Sequence, residues 1–146
     1  MMCFRAHGIP KGQPRPRAFA RNGRARVYDP GTAECWKSDV TAAASPVLPA
    51  TPLTGPLVLR VDFFFPRPKN HFVKAGLRIG APLWHRSKPD ADNAAKAVMD
   101  ALTTLGAWED DAQVVTLIVR KYYAADVQTT GALVTVEALE ERNHAA

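Results

Sequence analysis

The chain has 146 residues, 47% hydrophobic and 23% charged, which suits one globular domain with a real core and is too short for two full ones. Its formal charge is +5 and its sequence pI about 9.5, with many of the cations before residue 90 and most of the acids after it. The longest apolar run, around Val61 to Phe65, falls far short of the ~20 residues that span a bilayer, and Cys3 and Cys35 lack metal-ligand spacing, so the composition excludes a membrane span and predicts a reduced, cytoplasmic compartment.

Residues 3–9 (CFRAHGI) predict a short strand ended by Pro10 and Gly12. The next stretch, 11–26, carries six cations, Lys11, Arg15, Arg17, Arg21, Arg24 and Arg26, with Asn22-Gly23 as the turn of a hairpin. A solvated loop is the plain reading of such a run, but Phe19 and Tyr28 among the charges point to phosphate contact and base or sugar stacking. Asp29-Pro30 is a helix start, and Ala33, Trp36, Val40 and Ala43 recur at three and four residues, predicting a packing helix to about Ala44. Ser45 to Pro56 is a proline-rich linker within the domain.

Leu57 to Phe65 (LVLRVDFFF) alternates as a strand with one buried side, stopped by Pro66. Residues 67–88 have no clear period and form a second basic loop, with Arg67, Lys69, Arg86 and Lys88 among its cations. His71 and His85 lack zinc spacing and are expected as phosphate-side donors or surface residues. Val114 to Tyr123 and Leu133 to Leu139 are β-branched runs, predicted to pair antiparallel through a turn near Thr130-Gly131.

Between the two halves lies KPDADNAAKAVMDALTTLGAWEDDAQVV. The pattern predicts a helix from Ala91 to Leu105, with Asp90 as N-cap, Asp92 in the first turn and Gly106 closing it. Ala94, Ala97, Val98, Ala101 and Leu105 would be buried, leaving Asp92, Lys96 and Asp100 on the opposite stripe. Helix capping and a surface ion pair between Asp92 and Lys96 would explain these acids without chemistry. The second cluster, Asp110-Asp111, changes the balance. Asp90, Asp92 and Asp111 brought together without a cation would repel, and a divalent ion removes that cost. Magnesium takes oxygen ligands, and Lys96 beside it could steady charge growing on phosphorus or orient a water. These are the parts of a metal-dependent phosphodiesterase.

The run KPDADNAAKAVMDAL followed by GAWEDDAQVV resembles the RusA family of Holliday junction resolvases, found in bacteria and their prophages; GIPKGQPRPR, FFFPRPK and HRSKPD resemble its phage-type branch. The likeness is weakest in residues 40–56 and the tail, and Arg86-Ser87-Lys88-Pro89 stands where some members carry a run of arginines. The resemblance implies a mixed α/β (α+β) fold, with a mixed or antiparallel sheet packed against two main helices. It implies that Asp90, Asp92 and Asp111 are metal-binding catalytic carboxylates and Lys96 the catalytic lysine, with Asn93, Asp100, Asp110 and Gln113 in support. Magnesium, with manganese as the other candidate, would be the cofactor. A homodimer would bind a four-way DNA junction and nick it symmetrically. Lys11, Arg15, Arg17, Arg21, Arg24, Arg67, Lys69, Arg86 and Lys88 are the expected DNA contacts. Two other readings compete: a branched-DNA-binding protein without catalysis, and a different metal-dependent phosphoesterase.

Overall fold

A computed structural model describes residues 1–14, 17–28 and 33–142. Arg15 and the predicted Asp29-Pro30 helix start lie outside the described residues. The elements in chain order are β1 (Met2–His7), β2 (Arg17–Arg21), β3 (Arg24–Tyr28), α1 (Glu34–Ala44), β4 (Leu57–Phe65), β5 (Phe72–Val73), β6 (Gly76–Leu77), α2 (Ala91–Leu105), β7 (Val114–Tyr123) and β8 (Gly131–Ala138). The architecture is mixed α+β, as expected.

Strand β4 organises the main sheet, whose order is β1-β8-β4-β7. Its residues Leu57, Leu59, Val61, Phe63 and Phe65 are all buried, and the strand is paired along both edges. β7 runs parallel to β4, while β8 is antiparallel to both β4 and β1. The predicted hairpin between β7 and β8 is therefore corrected. Helix α2 carries the chain back to the end where β4 began, so β7 enters parallel to β4, and β8 then takes the opposite edge of that apolar strand. The short hairpins form as their turns dictate: β2 pairs with β3 around Asn22-Gly23, and β5 pairs with β6.

Both helices contribute to one hydrophobic core with the sheet. Trp36, Val40 and Ala44 of α1 and Ala94, Ala97, Val98, Ala101 and Leu102 of α2 join Phe4, Leu59, Phe63, Val134 and Val136. Each fully buried side chain of Val or Leu size contributes about 1.5–3 kcal/mol to this packing. Leu105, expected among the buried residues, is half-buried beside the helix end, and Leu102 occupies the interior instead. His71 also departs from expectation. It is buried, its ring set edge-on against Tyr123. Cys3 and Cys35 are free and exposed.

Candidate active site

Helix α2 spans the predicted residues, but its N-terminus is built differently. Asp90 occupies the N-cap position in an extended conformation, and its carboxylate makes no capping hydrogen bond. The Asp90 carbonyl accepts the first helical hydrogen bond from Ala94 N at 2.9 Å, leaving the side chain exposed. Asp92 is exposed in the first turn. Among the described residues neither carboxylate enters an ion pair within 4.0 Å. Two exposed acids thus crowd a helix start, where the peptide dipoles favour negative charge.

The second acidic segment is held by a chain of specific contacts. Gly106 ends α2 in the left-handed conformation at φ 88°, and its N–H donates back to Leu102 and Thr103. Trp108 is then buried, and its indole N–H donates to Thr103 Oγ1 at 2.7 Å. Leu53 N donates to Ala107 O at 2.8 Å, fastening the same loop to the segment before β4. Gln113 completes the frame: its Oε1 accepts from Glu109 N and Asp110 N, while its Nε2 donates to Leu53 O and Gly55 O. Asp110 caps the short 3-10 turn Asp111–Gln113 through a 2.9 Å bond from Ala112 N. Its carboxylate is thereby engaged, and Asp111 is the acid of the pair that turns to α2.

There Asp111 meets Lys96. Lys96 Nζ donates to Asp111 Oδ2 at 2.7 Å and lies 3.2 Å from Asp100 Oδ1. Asp100 in turn sits 4.0 Å from Lys37 Nζ on α1. The hydrogen bond from Lys96 holds the Asp111 carboxyl below the usual carboxylate range, and Asp111, then Asp100, raise the Lys96 ammonium above the usual lysine range. The surface ion pair of Lys96 with Asp92, the plain alternative for these charges, does not form; Asp111 and Asp100 are the partners of Lys96. Asp111 instead reaches the helix one turn beyond Asp92, and among the described residues no three His, Cys, Asp or Glu side chains are already grouped to hold one ion.

The other expected residues are spread over several segments. Asn93 O accepts from Gln13 N at 3.0 Å, and a Cβ on Gly12 would come within 2.6 Å of Asn93 Nδ2 and 2.8 Å of Pro89 Cβ. Only glycine allows that approach, which brings the exposed Lys11 to the start of α2. Arg86 and Lys88 are exposed just before Asp90, Lys69 is exposed in the 3-10 turn Lys69–His71, and Arg24 is exposed at the start of β3. Arg17 and Arg21 bound β2. The Arg67 guanidinium points inward, donating to Ala124 O at 2.9 Å and Pro82 O at 2.7 Å and lying over the Tyr123 ring. His85 stacks on Phe65 with ring centroids 3.9 Å apart.

Lys121 is a residue that pattern reading missed. From β7 its Nζ donates to Ser87 O at 2.7 Å and lies 5.9 Å from the Phe65 ring centroid. Burial holds its pKa below the usual lysine range, and the charge of Asp90 acts in the opposite direction. The ammonium thus ties the segment leading into Asp90 to the end of the sheet. In the sequence Lys121 is one more charge in a β-branched run, with no signal that it turns toward an acid 31 positions earlier.

The sequence model of the family described as Endodeoxyribonuclease RusA matches residues 7–137. The chain belongs to the RusA endodeoxyribonuclease family. The RusA match takes in the whole of α2, the Trp108 to Gln113 loop and every expected site residue. It makes the chain an endodeoxyribonuclease of the crossover-junction-resolving kind, acting on branched DNA. The chain is also 38% identical over 126 residues to "Uncharacterized protein YqaN" of Bacillus subtilis (strain 168), an alignment covering 84% of this chain and 88% of that protein. No helix among the described residues is long and apolar enough to cross a membrane.

Proposed function

We propose that this RusA-family chain is a magnesium-dependent resolvase that cuts four-way junctions by paired, symmetric nicks, working as a cytoplasmic homodimer of prophage type. One observation carries the reading: Asp90 and Asp92 stand exposed at the start of α2, without an ion pair among the described residues, and Asp92 is one helical turn from a lysine already bonded to Asp111. Carboxylate oxygens are the donors magnesium selects, and one or two of them suffice because the ion keeps several waters and takes the rest from phosphate. Asp90, Asp92 and Asp111 are the residues that would hold it. Bound there, the ion would supply charge neutralisation at the scissile phosphate and a more acidic water.

The chain's own groups have distinct tasks in this reading. Lys96 neutralises Asp111 in the resting protein and, with the phosphate in place, turns its ammonium to the non-bridging oxygens, where negative charge grows. Lys121 and Gln113 hold the two acidic segments. Lys11, Arg86 and Lys88 contact the backbone around the cut, with the charge-driven, salt-sensitive affinity expected of phosphate contacts. A two-fold dimer would present one such site to each of two opposed strands.

The test is cleavage of a synthetic four-way junction beside linear duplex, with and without magnesium. Magnesium-dependent paired nicks in the junction are expected, lost in Asp92→Asn and Lys96→Ala while junction binding persists. Equal cleavage in those variants would sink the assignment of the site.

A further inference from the structure

We infer that Trp84 is a docking site for an unstacked nucleobase at the branch point of the DNA. The inference rests on the branched-DNA reading above and adds to it a site on the opposite face of the sheet from the core. Across that face run four side chains in one stack. Arg5 of β1 lies over the Phe64 ring, with its guanidinium carbon 4.9 Å from the centroid. Phe64 of β4 stacks on Tyr122 of β7 at 5.5 Å and 14°. Trp84 stacks on Tyr122 at 4.6 Å and 24°. β8 contributes Gly131 opposite Phe64, so no side chain stands between Arg5 and that ring.

Trp84 is fixed on the stack by its backbone. Residues 83–85 extend the sheet beyond β7: His85 N donates to Lys121 O, and Tyr123 N donates to Leu83 O, both at 2.9 Å. Trp84 itself bridges to Tyr122. Yet Trp84 remains 50% exposed as a residue, so a flat apolar surface is held in place and left open at the end of a π-stack. Such a surface accepts any planar base and is indifferent to its sequence. The charges fit a nucleotide as well. Arg86 and Lys88 are exposed in the segment that follows, and Asp90 is six residues on, at most about 22 Å along an extended chain. That is less than one turn of duplex, so a base unstacked at the crossover could reach Trp84 while a neighbouring phosphate lies at Asp90 and Asp92. Paired bases in continuous duplex offer no free face.

The molecule supplies its own reporter. Of its three tryptophans, Trp36 and Trp108 are each 1% exposed, so quenching by DNA reads Trp84. The full chain is titrated in EDTA with a four-way junction, a single strand and a blunt duplex, while anisotropy of labelled DNA follows binding. Expected are quenching by the junction and the single strand, little by the duplex, and a Trp84→Ala variant that binds the junction about tenfold or more weakly with duplex affinity unchanged. Trp84→Phe, which keeps a ring on Tyr122, should restore most of the affinity. Junction binding with no change in Trp84 emission, equal quenching by the duplex, or an equal loss of junction and duplex affinity in Trp84→Ala would overturn the inference and leave the nuclease reading intact. Failure of the wild-type chain to bind a junction at all would remove the reading it rests on, and the inference with it.

Discussion

Lys96 Nζ sits 2.7 Å from Asp111 Oδ2, joining the second turn of α2 to a 3-10 turn 15 positions later in the chain. The ammonium thus already engages the carboxylate proposed above as a metal ligand. In the proposed function the ion and Lys96 would share this one acid, and Lys96 would offset its charge until the ion and the phosphate arrive.

The pair should show itself in the pH dependence of stability. The Asp111 carboxyl is depressed on folding, so its contribution is present above the ordinary carboxylate range and lost as pH falls below about 4. The Lys96 ammonium is raised, so its contribution is present below about 10.4 and lost only as pH rises beyond that. Lys96 is half exposed and solvent screens the pair, so Asp111→Asn should cost less than about 1 kcal/mol at pH 7. Urea unfolding of both proteins at pH 7 and pH 3 checks this. The difference should shrink toward zero at the lower pH, and a constant difference would mean that the pair is not its source.

Lys121→Met keeps an apolar stem against Phe65 but removes the donor to Ser87 O. The entry to Asp90 should then lose its register, lowering junction cleavage roughly 10- to 100-fold, since small displacements of a reacting group are costly. Junction binding in EDTA should stay within about twofold. Single-turnover cleavage measured beside anisotropy separates the two, and unchanged cleavage would free Lys121 from any positioning role.

Gln113 bonds four backbone groups on two segments. Gln113→Ala should cost about 1–3 kcal/mol and speed hydrogen exchange at the Glu109 and Asp110 amides. Gln113→Glu retains an acceptor for those amides but loses the donor to Leu53 O and Gly55 O. It should therefore protect the two amides better than alanine does while still weakening the tie to residues 53–55.

Two glycines with positive φ should respond very differently to alanine. At Gly106, φ is 88° and an added Cβ meets nothing within 4 Å, so the cost is the left-handed conformation alone, about 1 kcal/mol. At Gly131, φ is 144° and the Cβ would lie 1.9 Å from Ala6 O, forcing β1 and β8 apart at their shared end. Gly131→Ala should cost about 3 kcal/mol or more. Thermal melts of the two variants give the comparison, and similar losses would contradict it.

Much of the local structure was legible in the residues. Apolar periodicity with Gly106 at the end predicts α2 from Ala91 to Leu105, and alternation predicts β4 from Leu57 to Phe65, both as observed. The exposed acidic stripe of α2 and the Asn22-Gly23 turn follow from the same short-range rules. What Asp90 does with its carboxylate was less legible, because a capping residue and an unused acid look alike until the hydrogen bonds are seen.

The sequence by itself determined which segments become helix or strand and which residue types gather at the start of α2, since propensity, capping and period act over a few neighbouring positions. Tertiary structure alone decided that β4 separates β7 from β8, that Lys96 turns from Asp92 to Asp111, that Lys121 meets Ser87, and that Trp84 lies on Tyr122. Each is a contact between distant segments, chosen by which strand edges and apolar faces are buried together, and no short-range pattern encodes that choice.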